Sequence, residues 1–93
     1  MNTDLIYNHD TDRPFAVHFT PDTVTVTLAD GRVIGNPLSW HPWLQAATDA
    51  QRENVEFNPF DVWWIDLDEG LDIEGMLRGI KPMIKPETLL ETT

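Results

Sequence analysis

The sequence predicts a small α+β domain: a three-stranded antiparallel meander plus one or two further strands, packed with two or three short helices. Two alternating apolar stretches around an Asp-Gly turn predict the meander, and tryptophans at helical spacing predict the first helix. A length of 93 residues allows one modest core. We therefore divide the chain into a loose N-terminal lead-in (residues 1–14), a single domain (15–80) and a C-terminal tail (81–93).

The first two strands are predicted from a period of two. In the stretch from Phe15 to Phe19, aromatic and β-branched residues alternate with Ala16 and His18. The stretch from Thr23 to Leu28 alternates threonine with valine and leucine. Both patterns are typical of half-buried strands, in which every second side chain faces the core.

Asp30-Gly31 predicts a two-residue type I′ turn between the second and third strands. In that register Leu28 faces Val33 and Thr27 faces Ile34. One face of the hairpin is then apolar, which agrees with the strand pattern. That face carries Val24, Val26, Leu28 and Val33.

Later elements follow from capping patterns. Ser39 is placed to cap a helix that begins at Trp40-His41-Pro42, with Trp40, Trp43 and Leu44 packed on the sheet. Thr48 followed by Gln51 is a capping-box pattern for a second helical turn. Short strands are predicted over residues 55–57 and 60–65, and Asp72 and Gly79 are placed to cap the two ends of a last helix.

The net charge of the chain indicates which classes of partner it can bind. Six basic and sixteen acidic residues give a formal net charge of −10. Direct binding to nucleic acid or to an anionic membrane is disfavoured, because that binding depends on lysine and arginine. The absence of cysteine favours a reducing, cytoplasmic setting, and no apolar run approaches the roughly 20 residues of a membrane helix.

The stretch from Trp63 to Leu77 reads W-W-I-D-L-D-E-G-L-D-I-E-G-M-L. We expect the elements before it to act as its scaffold. Two adjacent tryptophans in a strand point to opposite sides, so one packs in the core while the other lies beside the acids as a binding anchor. We predict a partner-binding surface here, made of Asp61, Trp63, Trp64, Asp66, Asp68, Glu69 and Glu74. Structural roles are predicted for Asp30, Gly31, Arg32, Trp40, Trp43 and Asp72. Arg32 is either the solvated edge residue of the hairpin or an ion-pair partner of the acidic stretch, and we favour the second.

The sequence gives little indication of a metal site or of a catalytic site. An EF-hand loop started at Asp66 places Gly70 and Leu77 where the fifth and twelfth ligand positions require oxygen. Three scattered histidines and no cysteine offer no nucleophile with a matching base. We predict no metal, no cofactor and no enzymatic activity.

Two segments together resemble a known family. D-G-R-V-I-G-N-P-L-S-W-H-P-W-L-Q-A-A-T-D-A-Q-R-E-N and W-I-D-L-D-E-G-L-D-I-E-G-M-L resemble the small bacterial domain family catalogued as domain of unknown function 2442. The chain departs from the family pattern at Gly70, where a third acid is usual, at Asp72, where serine is usual, and at residues 58–62, where a glycine-containing approach to the tryptophan is usual. The resemblance implies a compact α+β binding module without established activity, often encoded beside another small protein as in toxin–antitoxin pairs.

Three functions are consistent with these observations. The first is an antitoxin-like protein-interaction module that binds a basic partner protein, such as a cognate toxin, through its acidic and aromatic face. The second is an acidic inhibitor, for example phage-encoded, that mimics nucleic acid on a nuclease or DNA-binding protein. The third is a small enzyme. An unpaired edge strand over residues 15–19 would also allow a homodimer.

Overall fold

The structure is a computed structural model that describes residues 8–82. The elements in chain order are α1 (His9–Asp12), β1 (Pro14–Phe19), β2 (Thr23–Leu28), β3 (Val33–Pro37), a 3₁₀ turn (Leu38–Trp40), α2 (Pro42–Gln45), α3 (Asp49–Glu53), β4 (Val55–Phe57), β5 (Asp61–Trp64), β6 (Glu69–Asp72) and α4 (Ile73–Arg78).

The six strands form two antiparallel three-stranded sheets, ordered β1-β2-β3 and β4-β5-β6. The predicted α+β class and the first meander are confirmed. The further strands number three instead of one or two, because β6 was not expected within the acidic stretch. Leu71 is the one buried apolar residue of β6, so the strand shows almost no alternation in the sequence.

A single apolar core joins the two sheets. Its members come from β2, the 3₁₀ turn, α2, β5, β6 and α4, which is why neither sheet has a core of its own. The fully or nearly buried side chains are Val24, Val26, Leu28, Leu38, Leu44, Val62, Trp64, Leu71, Ile73 and Met76.

The β2–β3 hairpin has a three-residue loop, so the predicted two-residue turn is wrong by one position. Gly31 N donates to Leu28 O (2.9 Å), Leu28 N donates to Arg32 O (2.8 Å), and Thr27 pairs with Val33. A type I′ turn needs two positive φ angles, whereas here Gly31 alone has one (φ 94°). The shift leaves Val33 59% exposed, and Ile34 packs on the core in its place.

A β-bulge changes the side that Phe15 faces. Pro14 pairs with Leu28 and Ala16 with Thr27, so Phe15 is the extra residue of β1. Its side chain is exposed, contrary to the predicted alternation. Val17 and Phe19, beyond the bulge, pack against the core as predicted.

Residues 8–13 of the N-terminal lead-in form a short helix and contacts with the hairpin loop, where a loose segment was predicted. Ala29 N donates to Arg13 O (2.9 Å) and Asp30 N donates to Thr11 O (3.1 Å), which joins this segment to the hairpin loop. Arg32 forms ion pairs with the buried Asp12 and with Asp30 (2.7 Å). The predicted pairing of Arg32 with the acidic stretch is therefore wrong. Residues 1–7 and most of the predicted tail, 83–93, lie outside the described residues.

The helix predicted from Trp40 begins two residues later. Trp40 ends the 3₁₀ turn, and α2 starts at Pro42 with His41 as its N-cap instead of Ser39. A residue that precedes proline is disfavoured in the helical region, and His41 accordingly has φ −131° and ψ 75°. Trp43 packs against the core and Leu44 is buried, as expected.

The capping box of α3 is confirmed. Thr48 Oγ1 accepts from Gln51 N (3.1 Å), and Gln51 Oε1 accepts from Thr48 N (2.9 Å). We expect Thr48→Ala to lower the free energy of unfolding by about 1 kcal/mol, because a helical N–H loses its acceptor. Urea denaturation followed by circular dichroism measures the change. Thr48→Ser keeps the oxygen and is the control; equal losses in both variants would exclude the cap as the cause.

Candidate functional site

The acidic stretch folds into β5, a turn over residues 65–68, β6 and α4. Neighbouring residues in a strand point to opposite faces of the sheet. The seven residues predicted to bind a partner therefore do not form one surface.

Trp64 belongs to the core and offers no surface to a partner, which corrects its predicted binding role. Its side chain is 0% exposed, and its Nε1 donates to Arg52 O (3.0 Å). The rings of Trp43 (5.6 Å between centroids) and Phe19 (6.4 Å) meet it edge to face. Trp64 thus joins β5 to β1, α2 and α3.

Trp63 lies on the opposite, outer face of the second sheet. Glu56 of β4 and Gly70 of β6 are its cross-strand partners. Asp61 and Asp72 form the cross-strand pair two residues further along, so they lie on the same face as Trp63. A Cβ at Gly70 would lie 2.7 Å from Trp63 Cε3, so the indole ring lies directly against this glycine. We call this surface the tryptophan face; it consists of Glu56, Asp61, Trp63, Gly70 and Asp72.

The tryptophan face carries three carboxylates with few neutralising contacts. Asp61 accepts from Asn58 Nδ2 (2.7 Å), and Asp72 accepts from Gly75 N (2.9 Å) as the N-cap of α4. Across residues 8–82, no basic side chain lies within 4.0 Å of Glu56, Asp61 or Asp72. The partly exposed Trp63 ring is therefore surrounded by negative potential.

The remaining predicted acids lie elsewhere. Asp66 and Asp68 are exposed on the turn, where Asp66 accepts from Asn54 Nδ2 (3.1 Å) and Asp68 takes a left-handed conformation (φ 54°). Glu74 pairs with Arg78 one helical turn away (3.1 Å). Glu69 shares the inner face of β6 with Leu71 and lines a cleft.

This cleft, with a volume of about 640 Å³, opens between α2 on one side and β6 and α4 on the other. Its walls are mainly apolar and include two tryptophans, a methionine and an isoleucine. Residues that matter for its chemistry are Trp40, His41, Trp43, Glu69, Met76 and Ile80. Sequence analysis gave Trp40 and Trp43 structural roles only.

A buried polar pair lies at the base of the cleft. His41 is 5% exposed, and its Nε2 lies 3.1 Å from Asn36 Oδ1. Asn36 Nδ2 donates to Gly35 O (2.9 Å), which fixes the amide orientation and makes Oδ1 the acceptor. Nε2 therefore carries the proton, and Nδ1 is an acceptor with no hydrogen-bond partner within the described part of the chain.

Burial lowers the pKa of His41 below its usual value of 6.5. The unfolded chain therefore binds a proton at higher pH than the folded chain, and stability is lost as the pH falls through this range. We expect wild type to lose more unfolding free energy than His41→Gln between about pH 7.5 and pH 5.5. Urea titrations at both pH values measure the difference. His18→Gln, which removes an exposed histidine, is the control for the loss of an imidazole; identical pH responses of His41→Gln and wild type would contradict the prediction.

Within residues 8–82, no three or more His, Asp or Glu side chains are grouped closely enough to hold a metal ion. None of the helices in this part of the chain is long and apolar enough to cross a membrane.

Comparison with known proteins identifies a matching family. The model of a family described as "Protein of unknown function (DUF2442)" matches residues 15–82. The chain belongs to the DUF2442 family. The fold is also similar to a crystal structure of a protein of unknown function from Rhodospirillum rubrum, with a TM-score of 0.62 and 25% identity over 76% of this chain and 90% of the other. No curated protein matches the chain.

Two of the three departures from the DUF2442 pattern have structural explanations. Asp72 caps α4 with its carboxylate, and the usual serine is an equally good N-cap. Gly70 lies beneath the Trp63 ring, where the side chain of the usual acid would meet both that ring and Val62 O. This DUF2442 member therefore holds Trp63 flat on the sheet, where an acid at position 70 would push the ring away.

Proposed function

We propose that the chain is a small protein-interaction module, antitoxin-like, that binds a basic partner protein through the tryptophan face. The observation that supports this is a partly exposed Trp63 among Glu56, Asp61 and Asp72, with no basic side chain within 4.0 Å in residues 8–82. Tryptophan is enriched among the residues that contribute most to interfaces. Complementary charge steers association and suppresses wrong partners.

The three acids and the ring have separate tasks in this proposal. The carboxylates accelerate the encounter with a positively charged surface, an effect that salt screens. Trp63 then loses its remaining exposed area against the partner, which slows dissociation. Asp66 and Asp68, on the turn next to this face, extend its negative field. The antitoxin-like element of the proposal comes from the gene pairing that the family resemblance implies.

A capture experiment with matched variants tests the proposal. Tagged wild type, Glu56→Lys and Glu53→Lys are used to retain proteins from native lysate, after circular dichroism has shown that each is folded. Both substitutions change the charge equally, but Glu53 lies on α3 and Glu56 on the tryptophan face. We expect wild type and Glu53→Lys to retain the same basic protein in similar amounts. Glu56→Lys should retain at least tenfold less of it.

Two outcomes would contradict the proposal. Equal retention by Glu56→Lys and Glu53→Lys would place the interface elsewhere. Release of the captured protein by added DNA or RNA, at an ionic strength that leaves the complex intact, would indicate the nucleic-acid-mimicking inhibitor instead.

A further inference from the structure

Strand β6 has an open edge. It pairs with β5 on one side and, among residues 8–82, with no strand on the other. Ile73 N donates to Phe60 O (3.0 Å), so in the antiparallel alternation the Val62–Leu71 and Trp64–Glu69 pairs are the hydrogen-bonded ones. The backbone N–H and C=O of Gly70 therefore point away from β5.

This open edge forms one wall of the cleft. Gly70 and Asp72 line it together with Trp40 from the 3₁₀ turn, Met76 from α4 and Ile80 just beyond α4. Unpaired edge strands bind extended segments of other chains, because every free N–H and C=O is a ready hydrogen-bond partner. Gly70 has no side chain that could block the approach of such a backbone.

The polar side chains of the cleft select for donors and positive charge. Glu69 and Asp72 contribute carboxylates, and His41 Nδ1 is an acceptor without a partner in the described residues. The faces of Trp40 and Trp43 also attract cations. Apolar side chains beside lysine or arginine therefore fit this cleft, whereas an acidic segment would be repelled.

We propose that the cleft binds an extended, basic segment of a partner protein, which adds to β6 as a further strand. The segment forms backbone hydrogen bonds with Gly70. Because the side chains of a strand alternate between its two faces, its apolar side chains lie on the inner face beside Trp40 and Met76, and its lysine or arginine side chains lie on the outer face beside Asp72. The inference rests on the proposed function in that the segment belongs to the same basic partner. A second copy of this chain is a poor occupant, because two molecules of net charge −10 repel each other.

The test uses the full chain and defined peptides. The probe is the capped hexapeptide acetyl-KVKLKV-amide, and binding is followed by ¹H–¹⁵N NMR titration. We expect saturable shifts of the Gly70 amide and of the Trp40 and Trp43 indole N–H signals. Acetyl-EVELEV-amide should bind at least tenfold more weakly, and a KVKLKV peptide N-methylated at the backbone should lose roughly fivefold per hydrogen bond removed.

Two exposed isoleucines provide a matched pair of protein variants. Ile80 (56% exposed) lines the cleft, whereas Ile65 (51% exposed) lies on the turn after β5 and not in the cleft. Each is changed to lysine, which adds the same charge to the molecule. Ile80→Lys should weaken the KVKLKV peptide at least fivefold, and Ile65→Lys should leave its affinity within about twofold.

Several results would overturn this inference. They are no saturable shift at millimolar peptide, shifts centred on Trp63, equal binding of the acidic peptide, or equal effects of Ile80→Lys and Ile65→Lys. The proposed function fails separately. If captured partner is lost with Glu56→Lys but kept by Ile80→Lys, the tryptophan face binds the partner and the cleft does not.

Discussion

Replacement of Trp64 by alanine is expected to lower the free energy of unfolding by about 3–5 kcal/mol. The side chain is fully buried, its Nε1 donates to Arg52 O, and its ring meets those of Trp43 and Phe19. Alanine would leave a large cavity at the junction of both sheets and an unpaired carbonyl. For a domain whose total stability is about 5–15 kcal/mol, this loss is a large fraction.

Urea denaturation followed by far-ultraviolet circular dichroism measures this change without relying on tryptophan fluorescence. Trp63→Ala is the control, because it removes the same side chain from the adjacent, partly exposed position of the same strand. We expect it to cost about 1–2 kcal/mol, since less apolar area is lost. Equal destabilisation by the two substitutions would contradict the assignment of Trp64 to the core and Trp63 to the outer face.

Gly70→Ala is expected to lower the unfolding free energy by about 1–3 kcal/mol, although alanine is only one carbon larger. The added Cβ would lie 2.7 Å from both Trp63 Cε3 and Val62 O. Such contacts force the indole ring and the strand backbone apart. We therefore also expect the Trp63 ring to leave its position on β6, which the shift of its indole N–H signal in NMR spectra would report.

A double-mutant cycle measures how much of the lost unfolding free energy comes from the contact between the added Cβ and the Trp63 ring. In the Trp63→Ala background, Gly70→Ala should be less destabilising, because only the contact with Val62 O remains. Gly75→Ala serves as the comparison glycine. Its Cβ would lie 3.1 Å from the Asp72 carboxylate oxygen that caps α4, so the gain in helix propensity is offset by a shifted cap, and the change in unfolding free energy should stay within about 1 kcal/mol. Equal losses at Gly70 in both backgrounds would exclude the ring as the cause.

Local patterns in the sequence were sufficient for most elements. The threonine–valine alternation of β2, the Thr48–Gln51 box and the caps at Asp72 and Gly79 were all found where predicted. Each depends on interactions within a few residues. The same holds for the inference that adjacent Trp63 and Trp64 point to opposite faces, although the sequence could not tell which ring is buried.

The errors arose where distant parts of the chain decide the outcome. Whether Asp30-Gly31 makes a two- or three-residue loop depends on the segment before β1, whose carbonyl oxygens at Thr11 and Arg13 accept hydrogen bonds from this loop. Arg32 was assigned to the wrong acids, because Asp12 is 20 residues away in sequence but adjacent in the fold. The cleft could not be predicted at all, since α2, β6 and α4 form it only when the two sheets pack together.

The strand order of the two sheets has a consequence for how the chain folds. Within residues 8–82, every strand pairs only with its neighbour in sequence, as β1-β2-β3 and β4-β5-β6. All strand pairing therefore closes short loops, and the mean sequence separation of these contacts is low, which favours rapid folding. Because neither sheet has a core of its own, the meanders are stabilised only when they associate around Trp64, and we expect this association to limit the folding rate. Folding rates should then respond more strongly to substitutions at Trp64 than to changes in the outer strands.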